Sequence, residues 1–247
     1  TGVLKASLVM KKLITMIHLK LANRDAINAT LSVSPFNLND GFNDKQQFSG
    51  NLQAHLNDLG FLPLFFPQLS EFSGQLKTNL QWNGTLKTPH LKGGITLNNA
   101  AAILPQQGLH IKNIALDATA ANDQVDYNVR ATSGKGTLNI TGKTFLNSEY
   151  KTALQLSGMD ITAINTPQYQ ITVSPHLTVT VLKHRINLSG ELDFPSAAIN
   201  LKNYTNITTL SSDIVITDKE QANITNSAWN NIYAKIKLNL GKNANFE

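Results

Sequence analysis

From Phe72 to Trp82 the chain reads FSGQLKTNLQW, which sets Leu76, Thr78, Leu80 and Trp82 on one side and Gln75, Lys77, Asn79 and Gln81 on the other. Successive side chains of a strand point to opposite faces of a sheet, so this period of two makes one face apolar and the other wet. The alternation recurs almost everywhere: Ile27/Ala29/Leu31/Val33, Leu91/Gly93/Ile95/Leu97, Val125/Tyr127/Val129/Ala131 and Leu177/Val179/Val181. Ile186/Leu188/Gly190/Leu192/Phe194, Ala197/Ile199/Leu201 and Ile232/Ala234/Ile236/Leu238/Leu240 continue it. Between them lie Asn39-Asp40-Gly41, Asn83-Gly84, Ala121-Asn122-Asp123, Ser133-Gly134-Lys135-Gly136 and Gly241-Lys242-Asn243, all turn-forming. The expectation is an all-β chain of roughly fourteen to eighteen strands.

Composition agrees. Only 15% of the 247 residues are charged, and Asn, Thr, Ser and Gln carry the remaining polarity; such residues suit strand faces and turns better than helix surfaces. With 41% hydrophobic residues the chain has enough apolar material for a sizeable core. No cysteine is present, so disulfides and thiolate chemistry are excluded. The net charge of +5 is scattered, with small clusters at Lys11-Lys12 and Lys183-His184-Arg185, and aromatics make up 7%. Nucleic-acid binders concentrate basic residues on one face with stacking aromatics, so no nucleic-acid partner is expected. The basic clusters read as solvated turn charges, with lipid head groups the sharper alternative.

The chain begins at Thr1 without a secretory leader pattern, and its apolar runs, such as Phe61 to Phe66, fall far short of the ~20 residues that span a bilayer. A soluble fragment of a longer protein is expected, forming one continuous elongated β domain over 1–247. One stretch breaks the alternation. LNDLGFLPLFFPQL, Leu56 to Leu69, carries Pro63 and Pro67 and is expected to form a short helix or apolar loop at 57–66. That segment reads as a plug over one end of the sheet in preference to a partner contact. Leu13, Thr15, Ile17, Leu19 and Leu21 fit a strand better than a helix. Phe48-Ser49-Gly50-x-Leu52-x-x-x-Leu56 recurs as Phe72-Ser73-Gly74-x-Leu76-x-x-x-Leu80, and Gly84-x-Leu86-x-x-Pro89 as Gly190-x-Leu192-x-x-Pro195. Such weak repeats imply lengthwise growth without the fixed period of a β-helix.

An apolar sheet face must be covered by helices, a second sheet, a closed barrel or something outside the chain. Helices are nearly absent from the pattern. By alternation alone a sandwich or barrel is the expected answer.

The residues from Leu62 to Leu116 point elsewhere. The Leu-Pro/Phe-Pro segment, Ser73-Gly74-x-Leu76, Gly84-Thr85-Leu86-x-x-Pro89-x-Leu91-x-Gly93 and Gly108-Leu109-x-Ile111-x-Asn113-Ile114 resemble the C-terminal domain of the TamB family, translocation and assembly module subunits. Gly134-x-Gly136-x-Leu138-x-Ile140-x-Gly142, Gly190-Glu191-Leu192-Asp193-Phe194-Pro195, Ser211-Ser212-Asp213-Ile214-Val215-Ile216 and Leu238-Asn239-Leu240-Gly241-x-Asn243-x-x-Phe246 follow in the family's order. The resemblance covers roughly residues 48–247.

It implies a curved, half-open β-taco sheet with an apolar concave groove and at most one or two short helices. It also implies a Gram-negative envelope protein, similar to AsmA-type proteins, anchored in the inner membrane and reaching through the periplasm to the outer membrane. The implied ligands are phospholipid acyl chains. Implied protein partners are TamA, an Omp85-type barrel reached through segments outside this chain, and nascent outer-membrane proteins, whose strands would use the sheet as an assembly scaffold. In the implied groove stand Leu76, Leu80 and Trp82, then Ile95 and Leu97, then Val125, Tyr127 and Val129, then Leu138 and Ile140. Further along come Leu177, Val179 and Val181, then Ile186, Leu188, Leu192, Phe194, Ile199 and Leu201, and last Ile236 and Leu238.

Catalytic signals are lacking. His18, His55, His90, His110, His176 and His184 show no metal-ligand spacing with carboxylates, and neither a His-Glu-x-x-His nor a Gly-x-Ser-x-Gly motif occurs. Asp123 and Asp126 read as a turn acid and a strand-edge acid, and Ser133-Gly134-Lys135-Gly136 lacks the spacing of a phosphate loop. No enzyme activity, metal or cofactor is expected.

Overall fold

The computed structural model describes residues 2–20, 25–85, 87–147, 150–182, 185–200 and 231–246. Leu21, Leu86, Lys183, His184, Leu201 and the 211–216 motif lie outside the described residues. The strands in order are β1 (Gly2–Val9), β2 (Lys12–Lys20), β3 (Ala26–Ser34), β4 (Gln47–Leu56), β5 (Glu71–Gly84) and β6 (Pro89–Leu104). Then come β7 (Leu109–Asn122), β8 (Gln124–Phe145), β9 (Thr152–Asn165), β10 (Tyr169–Leu182), β11 (Arg185–Ile199) and β12 (Ile232–Phe246). Two 3-10 turns, Leu62–Leu64 and Pro105–Gln107, are the only helical pieces among the described residues.

All twelve strands form one sheet in sequence order. Neighbours are antiparallel, except that β12 runs parallel to β11 with Ile232 beside Ile186. Among the described residues β1 pairs only with β2 and β12 only with β11, so the sheet does not close into a barrel. The sandwich or barrel that alternation favoured is thereby corrected to an open, curved sheet.

Among the described residues hydrogen bonding continues through bulges that interrupt the period, so runs that read as separate strands can be one. β11 runs unbroken through Pro195, joining two runs that read as separate strands, and β12 passes through Gly241-Lys242-Asn243, read as a turn. β8 departs in the other direction. Fully extended, its 22 residues would span about 70 Å, yet Leu146 N–H donates to the Asp123 carbonyl at 2.6 Å and the Tyr127 and Thr144 hydroxyls lie 3.2 Å apart. The strand therefore folds back on itself at Gly134-Lys135, where Gly134 is left-handed at φ 63°. Its first half pairs with β7 and its second with β9.

The bulges line up. Register shifts fall at Ser73/Gln75 on β5, Leu97/Ala100 on β6, Lys112/Ala115 on β7, Thr172/Ser174 on β10 and Phe194/Ser196 on β11. Asn99, Asn113 and Asp160, three residues with φ between 50° and 52°, mark the same line on β6, β7 and β9; Asn and Asp enter this region more readily than other side chains. A bulge bends its strand and increases its twist, so the line is a crease. Small or buried residues occupy it: Gly74, Ala100, Ala102, Gly136, Ile161, Pro175 and Ala197. At Gly74 the approach is so close that a Cβ would meet the Ala100 Cβ at 2.6 Å.

At the crease-side end of β3 and β4, buried Asp25 ties the sheet to the loop that follows β4. Its Oδ1 accepts from the Asn57 backbone N–H at 2.8 Å and from Asn57 Nδ2 at 2.7 Å. The Asn57 N–H above all, with the Asn57 amide, the Asp58 N–H and nearby His55, holds the carboxyl below the usual aspartate value against the opposing effect of burial. A depressed folded pKa contributes stability above the unfolded pKa of about 3.9 and loses it as pH falls through the folded value. Asp25→Ala is accordingly expected to lower the melting temperature at pH 7, with the gap to the parent narrowing as pH drops below about 4. A gap independent of pH would show that the charge is not what Asp25 contributes.

Candidate functional site

The register assigns faces across the whole sheet. Leu56, Leu76, Leu97, Leu116 and Val129 form one transverse row, being successive partners from β4 to β8. Leu31, Gly50, Trp82 and Leu91 form a second, and Leu52, Leu80, Gly93, Ala120 and Val125 a third. Beyond the fold-back, Ile140, Leu156, Leu177, Gly190 and Ile236 line up, as do Leu154, Val179, Leu188 and Ala234. Ile95 and Tyr127 flank Ala118; Val181 pairs with Ile186, Leu192 with Leu238, and Leu138 with Gly158. Phe194 and Ile199 sit on the same face on either side of the Pro195 bulge, so of the residues named from the sequence only Leu201 is not placed.

Residues not singled out complete the face. Leu116, Ala118 and Ala120 on β7 and Leu154 and Leu156 on β9 have the right spacing, but Ala, Gly and Thr dilute the signal there. On the first strands Leu4 and Leu8 of β1 oppose Ile17 and Leu13 of β2, extending the rows to the N-terminal edge.

No helix or second sheet lies among the described residues to cover this face. Its rows are half-buried in the middle of the sheet and exposed at both lateral edges, where Leu4 is 70% and Leu240 66% accessible. Only nine apolar side chains are buried among the described residues, and four of them are alanines. A closed domain buries its Ile, Leu, Val and Phe first.

The two large aromatics are packed onto glycines of adjacent strand segments, Gly50 of β4 for Trp82 and Gly142 of the returning half of β8 for Tyr127. Trp82 lies against Gly50, where a Cβ would approach its ring to 2.7 Å, and Tyr127 against Gly142, at 3.0 Å. Tyr127 Oη is bonded to Thr144 Oγ1 at 3.2 Å, which in turn lies 2.9 Å from Thr152 Oγ1. These hydroxyls link three strand segments across the apolar face.

The irregular segment after β4 contains the 3-10 turn Leu62–Leu64, anchored by buried Leu59 and by Leu62 N–H donating to the Leu59 carbonyl at 3.0 Å. Phe61 and Phe65 meet edge to face at 6.5 Å. Leu64, Phe65 and Phe66 point to solvent, so they do not plug the sheet end. Of the basic cluster at 183–185, Arg185 lies 5.4 Å over the Tyr233 ring. Asp126 accepts from Gln124 Nε2 at 2.7 Å beside the turn after β7, in the ordinary turn role.

An open, curved sheet that is apolar on one face is an all-β architecture of the taco kind. Two family models match this chain: TamB, N-terminal domain, over residues 1–97, and TamB C-terminal domain, over residues 127–246. The chain belongs to the TamB family of bacterial envelope proteins. The N-terminal model takes in residues 62–97, whose motifs resembled the C-terminal domain, and extends the family over residues 1–47. No curated protein and no solved structure matches the chain.

Proposed function

We propose that this chain is a non-enzymatic lipid conduit of the periplasm, in which the apolar face shields phospholipid acyl chains passing between inner and outer membrane. The supporting observation is that the apolar rows run across all twelve strands with no covering layer among the described residues. A row of Leu, Ile and Val makes no directional demands, and each CH₂ removed from water contributes on the order of 0.8 kcal/mol. Sites of similar weak affinity in series would pass a chain along without chemistry.

A specific observation keeps a second reading in play. β1 and β12 each have one unpaired edge among the described residues, and an open edge can template an added strand. In that reading the sheet is a scaffold for nascent outer-membrane barrels, working with a TamA-like barrel partner.

Photocrosslinking in cells separates them. A photoreactive residue at Leu80, Val129, Val179 or Leu188, all on the apolar face, is expected to capture phosphate-labelled lipid, whereas Lys77 and Thr180 on the opposite face are not. Capture of outer-membrane proteins without lipid at those four positions would overturn the conduit and support the scaffold.

A further inference from the structure

The polar face carries a feature that the apolar groove does not explain. Where the β8 fold-back tip is wedged between the start of β7 and the end of β9, a hollow of about 690 Å³ opens, with β10 and β11 forming its far side. Gly108 permits the close approach of β7 to β9, since a Cβ there would collide with the Asn165 carbonyl. The walls are braced by bonds of their own. Thr132 Oγ1 donates to the Lys112 carbonyl at 3.1 Å and lies 3.2 Å from the Asn113 amide nitrogen, and buried Ser133 donates its hydroxyl to the Thr162 carbonyl at 2.6 Å.

None of those bonds uses the two ammonium groups. Lys112 on β7 and Lys135 at the fold-back tip both line the hollow, together with His110, and Asp160 is the single acid in its lining. Among the described residues Lys87 pairs with Asp44 and Lys237 with Glu191, whereas neither Lys112 nor Lys135 has a carboxylate within ion-pair distance. With Lys112 and Lys135 against the single carboxylate of Asp160, the braced hollow carries a net positive charge. Lysines act as separate point charges, which suits the several anionic oxygens of a phosphate better than a single planar carboxylate. An adjoining hollow of about 820 Å³ shares Thr132, adds Arg130 and Asp193, and includes the apolar residues Ala115 and Met159. It offers room for the organic remainder of a ligand whose charged end sits between the lysines.

We propose that the hollow between the β8 fold-back and β9 is a binding site for a phosphate-bearing ligand, with Lys112 and Lys135 as its charged contacts. This site stands on the face opposite the acyl groove and does not depend on it.

The test is a proton–nitrogen NMR titration of the chain with sodium phosphate and glycerol phosphate, against sodium chloride at equal ionic strength, and with vesicles of phosphatidic acid against vesicles of phosphatidylcholine. The backbone amides of Gly108, Ser133 and Gly134 are expected to shift with phosphate and not with chloride. Each of Lys112→Gln and Lys135→Gln is expected to weaken binding about tenfold or more, as losing a charge-assisted hydrogen bond does, whereas Lys77→Gln, elsewhere on the polar face, leaves it unchanged. Shifts with glycerol phosphate identify a soluble ester as sufficient, and shifts confined to phosphatidic acid vesicles identify a lipid head group; both support the site. Leu80→Asp must leave the titration unaltered, which separates failure here from failure of the conduit. Absence of localised shifts with every phosphate probe, or lysine variants that bind like the parent, would overturn the proposal.

Discussion

Leu80→Asp is expected to fold and to lose the lipid. Leu80 stands between Leu52 and Gly93 on the apolar face and is only half-buried. In a closed core a carboxylate at such a position would be stranded without water and the fold would fail. Here the new side chain can reach solvent along the open face, so the stability loss should be that of the apolar area given up, about 1–2 kcal/mol. For an acyl chain lying over the same row the cost is different in kind. An unpaired carboxylate facing hydrocarbon costs on the order of 3 kcal/mol, about a hundredfold in occupancy. Lipid captured at Val129 and Leu188 should therefore fall to background in the variant, while its melting curve stays cooperative and close to that of the parent. A folded variant that still captures lipid at both positions would refute the groove as the path; an unfolded one would show that the row is a closed core.

The second large effect is on stability. Gly93 of β6 has φ 119° and faces Leu80 across the strand pair, and a Cβ there would fall on the Asn79 carbonyl oxygen. Gly93→Ala thus combines backbone strain with a backbone clash that no rotamer relieves, and is expected to cost 3 kcal/mol or more. Gly41 provides the control, because its φ of 63° is also left-handed but nothing lies within 4 Å of the position of a Cβ. Gly41→Ala should cost only about 1 kcal/mol, from conformation alone. Urea denaturation of the two variants measures the difference directly. Equal losses would mean that β5 and β6 do not approach as closely at Gly93 as the structure places them.

Much of the candidate site was readable because its information is local. Leu76, Leu80 and Trp82 share a face as a consequence of strand geometry, whatever covers them, and the same holds for Val125, Tyr127 and Val129. The strand reading of Leu13 to Leu19 was recoverable for the same reason, and β2 occupies it. Reading failed where an inserted residue resets the period. Phe194 and Ala197 are an odd number of positions apart yet share a face across the Pro195 bulge, so alternation splits one strand into two. The repeat of Phe48-Ser49-Gly50 as Phe72-Ser73-Gly74 misleads differently. Antiparallel pairing sets Phe48 beside Gly84 and Gly50 beside Trp82, so matching sequence positions lie at opposite ends of adjacent strands. A signal for the crease did exist in Asn99, Asn113 and Asp160, the side chains that best tolerate a left-handed backbone. Each alone is also an ordinary surface residue, and only their alignment across strands gives them meaning.

By itself the sequence determined that this chain is built of strands, which side chains share a face, and that one face is apolar. Those properties follow from the two-residue period of an extended backbone, which acts over neighbouring residues. Whether the apolar face closes on itself or stays open depends on bulges falling in line across β5 to β11 and on the two outer strands never meeting. That is a relation between residues far apart in the chain, set by cross-strand register, and only the tertiary structure decides it.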